Sequence, residues 1–128
     1  MSVEIIAEIG VNHNADLELA FSMVKKAAKS GADIIKFQTA VPELVQTANA
    51  PMADYQVKNT GKKVSQLEMS KKLHFPLEIF STLKSEVESY GKVFMSTAFD
   101  LVSLDLLADL GEKTFKIPPK KFFALTRE

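Results

Sequence analysis

The sequence predicts a parallel α/β fold, on three observations. Short β-branched runs alternate with amphipathic segments of helical period. Glycines punctuate the ends of several segments. Polar and charged residues gather at the C-terminal ends of the apolar runs. Alternation of this kind calls for parallel strands joined by crossover helices.

Val3 to Ile9 is mostly apolar and β-branched and reads as a buried first strand, ended by Gly10. A polar turn follows, Val11-Asn12-His13-Asn14, and then a helix that Asn14 or Asp16 caps. Leu17, Ala20, Phe21, Val24, Ala27 and Ala28 recur at three-to-four spacing and give that helix one apolar face, with Gly31 as its C′ residue. Ala32 to Thr39 is a second strand, Lys92 to Thr97 a third and Lys113 to Ile117 a fourth. Before the third strand, Pro76 occupies a first-turn position, and Phe80, Leu83, Val87 and Tyr90 form a stripe closed by Gly91. Before the fourth, Asp100 caps a helix whose buried side carries Leu104, Leu107 and Leu110 and which Gly111 stops. One interval breaks the rhythm. Pro42 to Val64 reads as a long loop holding Tyr55, Gln56, Asn59, Thr60 and Gly61, followed by a capping box, Ser65-Gln66-Leu67-Glu68, that opens a short helix. A loop of that length in a compact α/β protein is functional or disordered.

Bulk properties narrow the classes of function. With 128 residues the chain has room for one small domain with its own core. Sixteen basic residues balance sixteen acidic ones, so no nucleic-acid surface is indicated. Cysteine is absent, which removes disulfides and thiolate metal sites. No apolar run approaches a membrane span, and the N-terminus carries no signal-like stretch. A cytoplasmic protein is the default expectation.

In parallel α/β folds, ligands gather at the carboxyl ends of the strands. There the sequence places Glu8, Lys36 with Gln38, Ser96 with Thr97, and Lys116. The strand period of two puts Lys36 and Gln38 on one side. Charged groups at buried strand ends cost several kcal/mol unless paired or ligand-bound, so two lysines and a glutamate at one end suggest an anion site. The plainer readings stand beside it. Each lysine can snorkel outward or serve a structural ion pair, Glu8 being an obvious partner. Asn12 and His13 can be turn residues only, the Ser96-Thr97 hydroxyls ordinary strand-end groups, and the long loop an inert insertion. His74, just before a helix, reads as surface or capping.

Ala7-Glu8-Ile9-Gly10-Val11-Asn12-His13-Asn14 resembles the opening motif of the N-acetylneuraminate (sialic acid) synthases and their legionaminate and pseudaminate relatives. Gly31 to Thr39 resembles their second-strand motif. Tyr55-Gln56, Asn59-Thr60 and Ser65 to Met69 are similar to the loop and short helix that follow. Phe94 to Asp100 resembles the third-strand motif, with Ala98 where proline is usual, and Phe115-Lys116-Ile117-Pro118 the fourth. The matches run in order at fitting intervals.

The resemblance implies a (β/α)8 TIM barrel, of which residues 1–118 supply about the first four βα units, a half-barrel. It implies condensation of phosphoenolpyruvate with an N-acetylated hexosamine such as N-acetylmannosamine. Carbon 3 of phosphoenolpyruvate attacks the open-chain aldehyde, water attacks carbon 2, and phosphate leaves by C–O cleavage. A divalent metal (Mn2+, Mg2+ or Co2+) would polarise the aldehyde; the family's metal-binding histidines lie beyond the matched part. Carried over position by position, Lys36 and Lys116 hold the phosphate and carboxylate, Ser96 and Thr97 add hydroxyl donors, Gln38 and Asn59 line the pocket, and Glu8 handles a proton or a substrate hydroxyl.

Residues 119–128 depart from the pattern. Where the family continues with serine, glycine and glutamate, this chain has Pro119-Lys120-Lys121. The expectation is a truncated synthase, its open sheet edges and apolar inner face driving homo-oligomerisation or partner binding. Two rivals follow: a non-catalytic remnant acting as a dimerising module, and a Schiff-base aldolase with Lys36 as nucleophile.

Overall fold

The computed structural model describes residues 2–45 and 65–119. Strand β1 (Ile6–Gly10) leads to helix α1 (Leu17–Lys29), strand β2 (Ile34–Thr39) and a one-turn helix α2 (Pro42–Val45). After the undescribed stretch come α3 (Gln66–Leu73), α4 (Ile79–Ser89), β3 (Val93–Ala98) and α5 (Leu101–Asp109). The strands form one parallel sheet in the order β1-β2-β3.

Helix boundaries follow from local chemistry. Asp16, not Asn14, caps α1 by accepting the Leu19 N–H. Asn14 and Ala15 instead take positive φ in the preceding turn. Ser65 accepts the Glu68 N–H, as its capping box requires. Asp100 caps α5 through the Ser103 N–H. Pro76 lies in a turn ahead of α4 rather than in its first turn, because the Ile79 and Phe80 N–H groups close short bonds onto the Pro76 and Leu77 carbonyls.

The two sheet faces differ. Ile35, Phe37 and Phe94 point to the helical layer and pack with Val24, Phe80, Leu83, Val87 and Leu107, all buried. The paired residues Ile6, Ile34 and Val93, then Glu8, Lys36 and Met95, then Gln38 and Thr97, share the opposite face. On that face Val93 is 56% and Ile6 47% exposed.

The fourth strand predicted at Lys113–Ile117 is a correction. This segment touches the sheet through a single parallel bridge, Thr97 to Lys116. The reason lies beside it: the Glu112 carboxylate accepts the Ser96 N–H at 2.7 Å. A side chain therefore takes an edge donor that a continuous ladder would give to a backbone carbonyl. The first strand also begins later than predicted, at Ile6, although the Ile5 carbonyl accepts from the Asp33 and Ile34 N–H groups.

Candidate active site

The carboxyl end of the sheet is built around a left-handed turn. Gly10 has φ of +58°, a conformation glycine adopts without penalty. A Cβ there would lie 3.1 Å from Glu8 Oε1 and 3.4 Å from Gln38 Nε2. Bare backbone at this position lets the two polar side chains close over it. A register shift between Glu8 and Gly10 accompanies the turn.

Glu8 and Lys36 are paired in register, and their side chains form an ion pair of 2.6 Å. Lys36 Nζ also donates to Thr97 Oγ1 at 3.2 Å, tying all three strands together. The Lys36 side chain is 15% exposed and that of Glu8 43%. The lysine is thus largely removed from water, and the carboxylate and hydroxyl offset what would otherwise be an expensive burial. Gln38 sits one pleat further along the same face, opposite Thr97, and lines a cavity of about 140 Å3 with Pro42, His74 and Phe99. Lys116 is bridged to Thr97 and exposed. As parallel bridge partners, the two residues lie on the same face of the sheet.

Glu8, Lys36, Gln38, Thr97 and Lys116 are therefore brought to one end of one face. The side chain of Ser96 is not. Strand alternation turns it into the helical layer, where its hydroxyl and that of Thr39 share a hydrogen bond of 2.6 Å, both fully buried. Asn59 lies outside the described residues, as do Tyr55, Gln56, Thr60, Gly61 and Lys121.

Two further groups bury a side-chain atom that has no partner among the described residues. His13 is fully buried and stacks on Phe75 with ring centroids 4.3 Å apart. Its Nδ1 accepts the Ala15 N–H at 2.9 Å, and its Nε2 has no partner among the described residues. Burial, reinforced by the nearby charge of His74, lowers its pKa to about 4, so the ring is neutral at physiological pH. Glu112 is the opposite case: burial pushes its carboxyl up to about 7 despite the Ser96 N–H, which favours the charged form. The sequence offered His13 as a turn residue and gave no signal for Glu112, since a histidine in a turn and a glutamate after a helix both look solvated. His74 behaves as expected, its Nδ1 within 2.9 Å of the Ser70 carbonyl at the end of α3.

The donors for a divalent metal are not assembled among the described residues. Glu8 is engaged by Lys36, His13 is enclosed behind Phe75, and no cluster of three or more candidate ligands occurs there.

The sequence profile of the NeuB family matches residues 23–126. The chain belongs to the NeuB family. Among NeuB-related sequences it is 46% identical over 114 residues to the N,N'-diacetyllegionaminic acid synthase of Campylobacter jejuni, covering 89% of this chain and 34% of that protein. The enzyme of the same name from Legionella pneumophila is 44% identical over 118 residues, covering 92% and 33%. The human N-acetylneuraminate-9-phosphate synthase is 32% identical over 113 residues, covering 88% and 31%. Among solved structures, the N-acetylneuraminic acid synthetase of Leptospira borgpetersenii superposes with a TM-score of 0.69 at 30% identity, covering 91% of this chain and 36% of that one. The NeuB-family chain described here thus spans about a third of the length of these curated relatives.

Proposed function

We propose that this chain supplies the phosphoenolpyruvate-binding end of a nonulosonic acid synthase. In that reading its sheet is the first part of a (β/α)8 barrel. The reaction joins phosphoenolpyruvate to the aldehyde of an N-acetylated hexosamine, giving a nonulosonic acid and phosphate. The observation that carries the proposal is the Glu8–Lys36–Thr97 cluster with Lys116 beside it, in a chain whose relatives are synthases of this class.

The chemistry follows from the charges. Phosphoenolpyruvate carries a phosphate and a carboxylate, and two converging ammonium groups neutralise both. Lys36, held by Glu8 and Thr97, is oriented before the ligand arrives, which lowers the entropy lost on binding. As carbon 3 adds to the aldehyde and water to carbon 2, phosphate departs with its bridging oxygen, and the lysines stabilise the charge it gains. Glu8 stands where it can take a proton from the attacking water or hold a substrate hydroxyl. Gln38 faces the neighbouring cavity and is the candidate sugar contact, with Asn59 proposed for the same pocket. The family's divalent metal would supply Lewis-acid activation of the aldehyde; residues holding it are assigned to no position here.

Calorimetric titration of phosphoenolpyruvate into the 128-residue chain tests the proposal. We expect binding that K36M weakens by tenfold or more, about 1.4 kcal/mol. No binding to the wild-type chain, or full affinity in K36M, overturns it. Phosphate release with N-acetylmannosamine and Mn2+ then reports whether condensation accompanies binding. A second reading, an interaction module without catalysis, is favoured by the exposed Ile6 and Val93 on the inner sheet face. Binding of phosphoenolpyruvate would count against it.

A further inference from the structure

We infer that Glu112 is a positioning residue that docks the segment carrying Lys116 onto the edge of β3. The segment is held at two consecutive residues of that strand. Glu112 Oε1 accepts the Ser96 N–H at 2.7 Å, and Lys116 bridges Thr97. The backbone of Glu112 is anchored in turn, its N–H bonding the Leu107 carbonyl at 3.1 Å as α5 ends. Glu112 therefore links the end of α5 to the strand edge, and Lys116 follows within reach of one short loop. Its docking onto Thr97 sets where the second ammonium stands relative to Lys36, which Thr97 also holds.

The docked state is sensitive to proton uptake. Glu112 Oε2 is buried with no partner among the described residues. Glu112 lines a cleft of about 530 Å3 whose other charged residues are Glu4, Lys84, Glu88, Lys92 and Lys113. Lys84 is already paired with Glu88. Burial raises the Glu112 carboxyl from 4.5 to about 7 in the docked state. A freed, solvated glutamate returns to the ordinary value. Docking is therefore strongest below about pH 4.5 and weakens as pH rises towards about 7, where the docked carboxyl must ionise.

As a device for placing a substrate-binding lysine, this rests on the phosphoenolpyruvate reading; the docking itself does not. The test uses the 128-residue chain as wild type, E112Q and E112A. Amide exchange by NMR, corrected for intrinsic rates, is followed at Ser96 and at Phe115 to Ile117. E112A should speed exchange at both places by about tenfold, and E112Q, which keeps a carbonyl acceptor, should restore both. Wild-type protection should fall between pH 5 and pH 8, while E112Q stays flat. In binding, E112A should weaken phosphoenolpyruvate affinity in the wild-type background and have no further effect in K116A. Faster exchange at Ser96 alone, with Phe115 to Ile117 unchanged, would reduce Glu112 to an edge cap and overturn the inference. Additive effects of E112A and K116A would overturn its role in binding while leaving the phosphoenolpyruvate reading intact. If the wild type binds no phosphoenolpyruvate, that reading fails and exchange decides the docking alone. If E112A does not fold, the pH profiles of wild type and E112Q carry the test.

Discussion

His13 shows how one residue ties the turn after β1 to stability. Its ring is enclosed by Phe75 and Phe37, and among the described residues only Nδ1 finds a partner. Protonation would place a charge in that apolar setting. The folded-state pKa of about 4 lies below the ordinary 6.5. The unfolded chain therefore binds the proton first as pH falls, so the stability from neutral His13 is present above about 6.5 and lost towards 4. The loss is on the order of 2 kcal/mol. Urea unfolding at pH 7.5 and pH 4.5 should show this decrease, and H13Q should diminish it; an equal decrease in both proteins would discount His13.

Asp100 does for the elements what His13 does for the turn. It is 1% exposed, and its carboxylate accepts from the Ser103 N–H at 2.7 Å, the Ser103 hydroxyl at 2.9 Å and the Val41 N–H at 2.7 Å. One side chain thus caps α5 and fixes the chain leaving β2 at Val41, three residues after Gln38. Removing it deletes a cap and strands the Val41 N–H. D100A should cost about 2–4 kcal/mol in denaturant unfolding. It should also raise amide exchange at Val41, a change that loss of the cap alone would not produce. The two-residue period of β3 explains why neighbours have different fates. Thr97 meets Lys36, whereas Ser96 meets Thr39 on the far side. Reading Ser96 and Thr97 as one pair of ligand hydroxyls overlooks that alternation, which was legible in the sequence.

For the whole molecule, the sheet has helices packed on one face and apolar side chains showing on the other. Val93 and Ile6, each about half exposed, occupy neighbouring register positions through Ile34. Sheets of this class are normally covered on both faces. We expect the chain to self-associate through this surface, with sedimentation velocity showing mass rising with concentration. V93K should shift the population towards monomer, because a buried unpaired ammonium opposes the interface. A wild-type monomer at every concentration would refute this use of the face. No helix among the described residues is long and apolar enough to cross a membrane.

The strand–helix alternation, the caps at Ser65 and Asp100, and the placing of Lys36 and Gln38 on one side of their strand were written in local chemistry and in periods of two and 3.6. These are properties of neighbours along the chain, so the sequence by itself determined them. Tertiary structure decided the rest. Burial, which no local pattern reports, made His13 neutral and raised Glu112. Competition for one backbone donor, the Ser96 N–H, reduced the predicted fourth strand to a single bridge at Lys116. A hydrogen bond between residues sixteen positions apart depends on how the elements pack, and only the folded chain brings those two groups together.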